Sequence, residues 1–249
     1  MGKKIIIGLL SILAILLIAC TVLFYTDQRY SYSLRTYRTL SDAESLKISY
    51  ESHIGLGENQ LGIHGTAAMT FSPKASFIEV YTELPIIGDR KILDIYTENR
   101  EVYHKFNVGF LPWRKGVPLL SEDAFNPTSL TEITPNGKIL PLVKFLASLK
   151  KVEDQETLTY YTTDFFTEEE FKTLLSDTLK LESLDIKELD IASYKISAVF
   201  SKTQKFLKEI RIEFTNKTRG TDVNNTFSLE ILSVNTVGVI EKPMDLPED

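Results

Sequence analysis

Glu51, His53 and His64 are the residues whose types and spacing come nearest to a reactive constellation. Strand alternation puts Glu51 and His53 on one face. A hairpin turning over Gly55–Gln60 sets Ile54 opposite Leu61 and Glu51 opposite His64. A carboxylate with two imidazoles suits a metal ion or a pH-sensitive pair. The same side chains also read as a solvated outer face with a weak cross-strand ion pair. A second acidic group, Glu168-Glu169-Glu170, follows Thr167 at capping-box spacing, with Phe166 and Phe171 placed as a hydrophobic staple. The positive end of a helix dipole accounts for this run without a cation. The chain has three His, and no Gly-x-Ser-x-Gly elbow, Gly-x-x-x-x-Gly-Lys loop or His-Glu-x-x-His occurs. The expectation is a non-enzyme with no cofactor and no metal.

Cys20 is the single cysteine, so no intrachain disulfide can form. Leu17-Ile18-Ala19-Cys20 fits a lipobox, which makes Cys20 a lipidation candidate. Yet the uncharged apolar run Ile5–Tyr25 continues past it and reaches roughly 30 Å as a helix, the thickness of a bilayer core. A cleaved lipoprotein signal and an uncleaved signal anchor both remain open. Either reading makes the membrane a partner and places the protein at the cell membrane, single-pass or lipid-anchored. Lys3 and Lys4 precede the run and favour an extracytoplasmic domain.

About 220 residues follow Tyr25, enough for one core. A net charge of −6 and a pI near 5.3 argue against nucleic acid. Residues 1–26 read as anchor or signal. Residues 27–44 read as a juxtamembrane linker, partly helical, with Tyr30, Tyr32 and Tyr37 suited to the lipid interface. Residues 45–249 read as one extracytoplasmic domain.

That domain begins with period-two alternation. Leu46, Ile48 and Tyr50, then Ile63, Gly65, Ala67, Met69 and Phe71, share one face of a hairpin. Phe77–Leu84, Lys91–Thr97 and Val102–Phe106 extend it as an antiparallel meander. Val108–Pro118 is broken by Gly and Pro and holds the only Trp, Trp113. Leu142, Phe145, Leu146 and Leu149 have helical spacing from Pro141 onward. Leu158–Thr163 is a short strand, and Thr167–Leu179 a capped helix. Alternation resumes over 194–200, 210–214 and 227–231, with Lys217–Asn225 as a polar turn and a frayed tail after it. The fold class is α+β: a strongly curved antiparallel sheet, a half-open barrel of roughly 9–10 strands, with two inserted helices and an N-terminal membrane helix or signal. A sheet that wide must curl.

The order of elements resembles the LolA/LppX-like lipoprotein carriers, and small Gram-positive lipoproteins with that half-open barrel. The resemblance runs from the meander ending in Tyr96 and Tyr103, through Trp113-Arg114-Lys115 and Leu158-Thr159-Tyr160, to the strands joined by Lys202-Thr203-Gln204-Lys205. It implies a concave apolar face under a helical lid, able to hold a lipid or acyl chain, and it brings no catalytic residues. The hydrophobic-face candidates are Ile63 and Met69 in the first hairpin and Ile196, Phe200, Ile210, Ile212 and Phe214 in the later pair. Phe227, Leu229 and Ile231 complete the stripe, with Phe110 and Trp113 at its mouth. The alternative is a non-catalytic interaction or sensory ectodomain whose helices leave no open cavity.

Overall fold

A computed structural model describes residues 26–56, 59–84, 88–99, 101–107, 109–116, 145, 147–179, 189–218 and 220–247. The Ile5–Tyr25 run, Cys20, and Leu142 and Leu146 of the expected middle helix lie outside them. No helix among the described residues is long and apolar enough to cross a membrane.

The first five strands, β1 (Ser45–Leu56), β2 (Asn59–Phe71), β3 (Lys74–Leu84), β4 (Gly88–Glu98) and β5 (Glu101–Phe106), form the expected meander. β6 (Arg114–Lys115) lies outside β5. The second half comprises β7 (Lys150–Glu153), β8 (Thr157–Thr162), β9 (Asp190–Ser201), β10 (Phe206–Thr218) and β11 (Thr221–Val234). All pair antiparallel in one curved, unclosed sheet of order β6-β5-β4-β3-β2-β1-β11-β10-β9-β8-β7. Among the described residues the sheet has eleven strands rather than nine or ten because β6 and β7 are short, charged edges without alternation. Such edges discourage pairing with another chain.

The register of the first hairpin is the expected one, with Glu51 opposite His64 and Ile54 opposite Leu61. One face carries Ile48 and Tyr50 of β1, Ile63, Gly65, Ala67 and Met69 of β2, and Leu229 and Ile231 of β11. It continues through Ile210, Ile212 and Phe214 of β10, and Ile196, Ala198 and Phe200 of β9. Both described helices sit on this inner face. Bulges at 47/48, 80/81, 207/209 and 215/216 bend the strands. Gly65 makes the tightest approach. Tyr50 crosses it, and its hydroxyl donates to the Glu79 carbonyl of β3 at 2.9 Å. A Cβ on Gly65 would meet that carbonyl at 1.9 Å and the Tyr50 hydroxyl at 2.5 Å.

Helix α1 (Gln28–Ser41) occupies the stretch expected as a linker. Asp27 caps it, accepting from the Arg29 amide at 2.9 Å. Tyr30, Tyr32 and Thr36 are buried, and Tyr32 packs among Leu158, Tyr160 and Phe200. The Thr36 hydroxyl donates to Tyr32 O and accepts from the Leu207 amide at 2.9 Å. A stripe of tyrosine and threonine buries area like an apolar one while reading as polar in sequence. Helix α2 (Glu168–Leu179) has the expected cap. Glu170 accepts from the Thr167 amide at 2.9 Å, and Thr167 Oγ1 accepts from the Glu170 amide at 3.3 Å. Phe166 packs on the cluster of Phe171, Leu175, Ile191 and Ile212. The Lys172 ammonium lies 2.7 Å from Glu168, so the glutamates are occupied by the helix itself.

Two segments differ from the sequence expectation. The ladder runs on through the stretch read as a turn, pairing Phe214 with Asn225 and Thr218 with Thr221. Buried Asn225 donates to Asn216 at 2.7 Å, so polar side chains satisfy one another inside the strands. The tail is not frayed. The Asn235 side chain accepts from the Glu44 amide at 2.7 Å, and Ile240 and Leu246 pack on Tyr96, Tyr103 and Trp113.

Gly65→Ala should cost about 2 kcal/mol, because a backbone carbonyl must move to admit the methyl group. Thr167→Ala should cost about 1 kcal/mol through the lost cap. Chemical denaturation of the purified protein checks both, and an unchanged midpoint contradicts the corresponding contact.

Candidate functional site

The two helices cover different ends of the same strands. α2 buries Ile212, with Phe214, Ile196 and Phe227 packed around it. α1 covers Leu158, Tyr160 and Phe200. Between the two footprints lies a cavity of about 140 Å³, lined on the sheet by Tyr160, Ile196, Ala198, Phe200 and Ile210. Ile210 stands opposite Ala198 across the β9–β10 ladder, and the small alanine leaves the space. Phe145 and Leu149 close one side. Phe145 also sits edge-on to Phe165, with ring centroids 5.2 Å apart. Arg29 and Ser33 of α1 close the other.

Arg29 supplies the charge at this cavity. Its Nη2 lies 2.7 Å from Asp27 Oδ2, and its Nη1 donates to Ala147 O at 3.3 Å. The guanidinium also lies 6.0 Å from the centre of the Tyr160 ring. The last two contacts join α1 to Ala147 and to Tyr160 of β8 beside the cavity. The Asp27 carboxyl is held below its ordinary range, chiefly by its side-chain hydrogen bonds with Arg29. Burial pushes the Tyr160 phenol up to about 12, so it stays neutral. The site is therefore apolar inside, with one paired cation at the rim.

The structure sorts the stripe expected from sequence into groups. Ile196, Phe200 and Ile210 line the cavity. Ile212, Phe214 and Phe227 are taken up by α2. Met69, Leu229 and Ile231 pack with Ile48 and Ala67 near the sheet centre. Ile63 lies on the same face, paired with Ser52 and Thr82. Phe110 is fully exposed, away from any cluster. Trp113 packs with Tyr96, Tyr103 and Phe77 on the opposite face, under the tail, rather than at a cavity mouth. Parity is undefined in a loop broken by Gly and Pro, so alternation could not assign its side. Sequence reasoning missed Arg29, Ser33 and Ala198. Helical spacing of Tyr32 and Thr36 was the available signal for α1.

On the outer face, Glu51 does stand opposite His64, but the side chains divide. His53 lies 3.6 Å from Glu51, whereas His64 lies 3.3 Å from Asp89 and stacks on Tyr81. Among the described residues no group of three or more His, Cys, Asp or Glu is arranged to hold a metal ion.

No family model matches the chain, and no curated protein matches it either. Similar solved structures include the lipoprotein LppX of Mycobacterium tuberculosis, at 10% identity and a TM-score of 0.44, covering 85% of this chain and 97% of that one. A DUF1329 family protein from Desulfovibrio piger matches at 8% identity and a TM-score of 0.29, covering 85% and 93%. A porin-like protein from Bacteroides uniformis matches at 5% identity and a TM-score of 0.23, covering 77% and 97%. All three scores are below 0.5, so the likenesses assign neither a family nor a ligand.

The depressed Asp27 pKa fixes the sign of its pH dependence. Its contribution is present above the ordinary value of 3.8 and is lost as pH falls through the lower folded value. Asp27→Asn should cost about 0.5–1 kcal/mol at pH 7. It should also flatten the fall in melting temperature between pH 4 and pH 2. Thermal melts across that range check this, and parallel curves for both proteins contradict a stabilising Asp27–Arg29 pair.

Proposed function

We propose that the chain is a membrane-tethered, non-catalytic extracytoplasmic binding protein that holds an acyl chain or similar apolar group between α1 and β8–β10. The observation that carries this reading is the cavity itself. A space of about 140 Å³ walled by Phe145, Leu149, Ile196, Ala198, Phe200 and Ile210 matches a dry apolar cavity able to take a benzene-sized group. The Arg29–Asp27 pair at the rim suits the polar end of such a ligand. The apolar run Ile5–Tyr25, with its Lys flank, supports the tether.

A second reading, an interaction or sensory ectodomain, is favoured by the cavity's size. The volume lies well below the roughly 300–1,000 Å³ of ordinary ligand pockets. On that reading the seam is a packing defect between helices.

Ala198→Trp separates the two, because an indole fills the seam from the strand side. Ile212→Glu would not separate them, since Ile212 is buried against α2 and its loss would disturb the core. Delipidated protein titrated with a fluorescent fatty acid should bind at micromolar concentration. The Ala198→Trp variant should bind at least tenfold more weakly while keeping its circular dichroism spectrum. Absence of binding by the unmodified protein, with no lipid recovered in native mass spectrometry, favours the second reading.

A further inference from the structure

α1 has two unlike faces. Tyr30, Tyr32 and Thr36 are buried, whereas Arg35, Tyr37 and Arg38 are exposed, Tyr37 by 59%. The helix carries three Arg and no acidic residue in a chain of net charge −6. It is therefore a local cationic strip on an acidic protein. An exposed side with Arg38 at its centre, flanked by Tyr37 and Arg35, matches the headgroup layer of an anionic membrane, where phenol rings settle and cations are attracted.

Chain connectivity limits how far the start of α1 can lie from the bilayer. Arg29 follows Tyr25 by four positions, so those Cα atoms lie no more than about 14 Å apart. If Cys20 carries the lipid, nine residues give an upper limit of about 32 Å. Both limits hold whatever path the intervening backbone takes. The residues that close one side of the cavity, Arg29 and Ser33, belong to this same helix.

We propose that the Arg35–Tyr37–Arg38 face of α1 docks on the anionic headgroups of the membrane to which the chain is tethered. The cavity rim is then held against that leaflet, and the ligand is a lipid of the same membrane. The docking of α1 rests on the tether of the reading above, and the identity of the ligand also on its binding site. Docking also assigns α1 two tasks by face, one wall of the cavity and one contact with the bilayer. Orientation is the gain, since the tether already supplies local concentration.

The experiment places a photocrosslinking benzoylphenylalanine at position 37 of the full chain in bacterial membranes. A control carries it at position 222. The control lies at the far end of the sheet: β10 meets α1 at Leu207 and pairs Lys217 with Asp222 about 33 Å away along the strand. Position 37 should yield a phospholipid adduct at least tenfold more abundant than position 222. Arg35→Glu combined with Arg38→Glu, neither of which lines the cavity, should reduce that adduct several-fold without changing fatty-acid binding in solution. Equal yields at the two positions, insensitivity to the charge reversal, or a protein adduct at position 37 would each overturn the docking. Fatty-acid binding that persists without a lipid adduct sinks this inference and leaves the binding reading standing. A lipid adduct without fatty-acid binding does the reverse.

Discussion

The β1–β11 ladder makes one sheet out of two halves. Leu46 pairs with Val234 and His53 with Thr226, joining the start of the domain to its end. Without it, β1 through β6 would form one open meander and β7 through β11 another piece of sheet. Local hydrogen bonds reinforce the junction. Asn235 accepts from the Glu44 and Ser45 amides, and the Val237 amide donates to Ser45 Oγ. The Asn235 backbone takes φ 59°, a conformation in which Asn is tolerated better than most residues. A pairing of such sequence separation carries a loop-closure cost before any contact repays it. The inner face exists as a continuous surface only once that pairing has formed. The helix seats on β9 and β10 are thus local, while the curvature around them is a property of the whole chain.

The first half is stabilised on its outer face, the second by polar pairing buried on the inner face. In the first half, Lys91 bridges Glu79 at 2.6 Å and Asp94 at 2.7 Å, and Asn107 donates to Asp94 at 3.0 Å. Burial works against the Lys91 charge, but the two carboxylates outweigh it and raise its pKa. Further along that face the tail lays Ile240 and Leu246 over Tyr96, Tyr103 and Trp113. Strands β3 to β5 are therefore packed on their outer side by side chains from the end of the chain. In the second half, the hydrogen-bonded Asn216–Asn225 pair is buried beside Gly55, whose amide donates to Asn225 at 3.2 Å. Val223 fills the position where a Gly55 side chain would lie, its Cγ1 2.2 Å from that Cβ. The close fit of β1 on β11 leaves no room for a larger residue there.

Much of the fold was legible because the sheet obeys parity. Alternation over Leu46–Phe71 placed Glu51 against His64 to the residue, since a slip by one would have turned Ile48, Ala67 and Met69 outward. Thr167 and Glu170 announced α2 through the spacing of the cap alone. α1 was less legible because it buries Tyr30, Tyr32 and Thr36, whose hydroxyls lower the apparent hydrophobicity of a stripe that still packs. The Lys217–Asn225 stretch looked like a turn because its strand residues are polar, and only their mutual hydrogen bonds make them suitable for a buried ladder. The candidate cavity was half legible. Ile196, Phe200 and Ile210 carry the strand signal, but the space depends on the small Ala198 and on a helix that the composition hid.

That arrangement explains why the cavity falls where it does. α2 presents Phe171 and Leu175, both fully buried, and Phe171 stacks on Tyr194 with ring centroids 4.3 Å apart. Tyr194 in turn accepts from the Phe166 amide at 2.6 Å and donates to Phe166 O at 2.9 Å, which fixes the start of α2 over β9. α1 is fixed at the other end of β10 by the Thr36–Leu207 hydrogen bond. Two helices pinned by directional contacts cannot slide together to close the space between them. Closing it would break a part-buried hydrogen bond, and that loss competes with the apolar area gained. The seam over Ala198 and Ile210 persists because each helix is anchored elsewhere. α1 is held beside the cavity by Tyr32, packed among Leu158, Tyr160 and Phe200, and by the hydrogen bond from Arg29 to Ala147 O, whereas α2 is anchored by its fully buried Phe171 and Leu175.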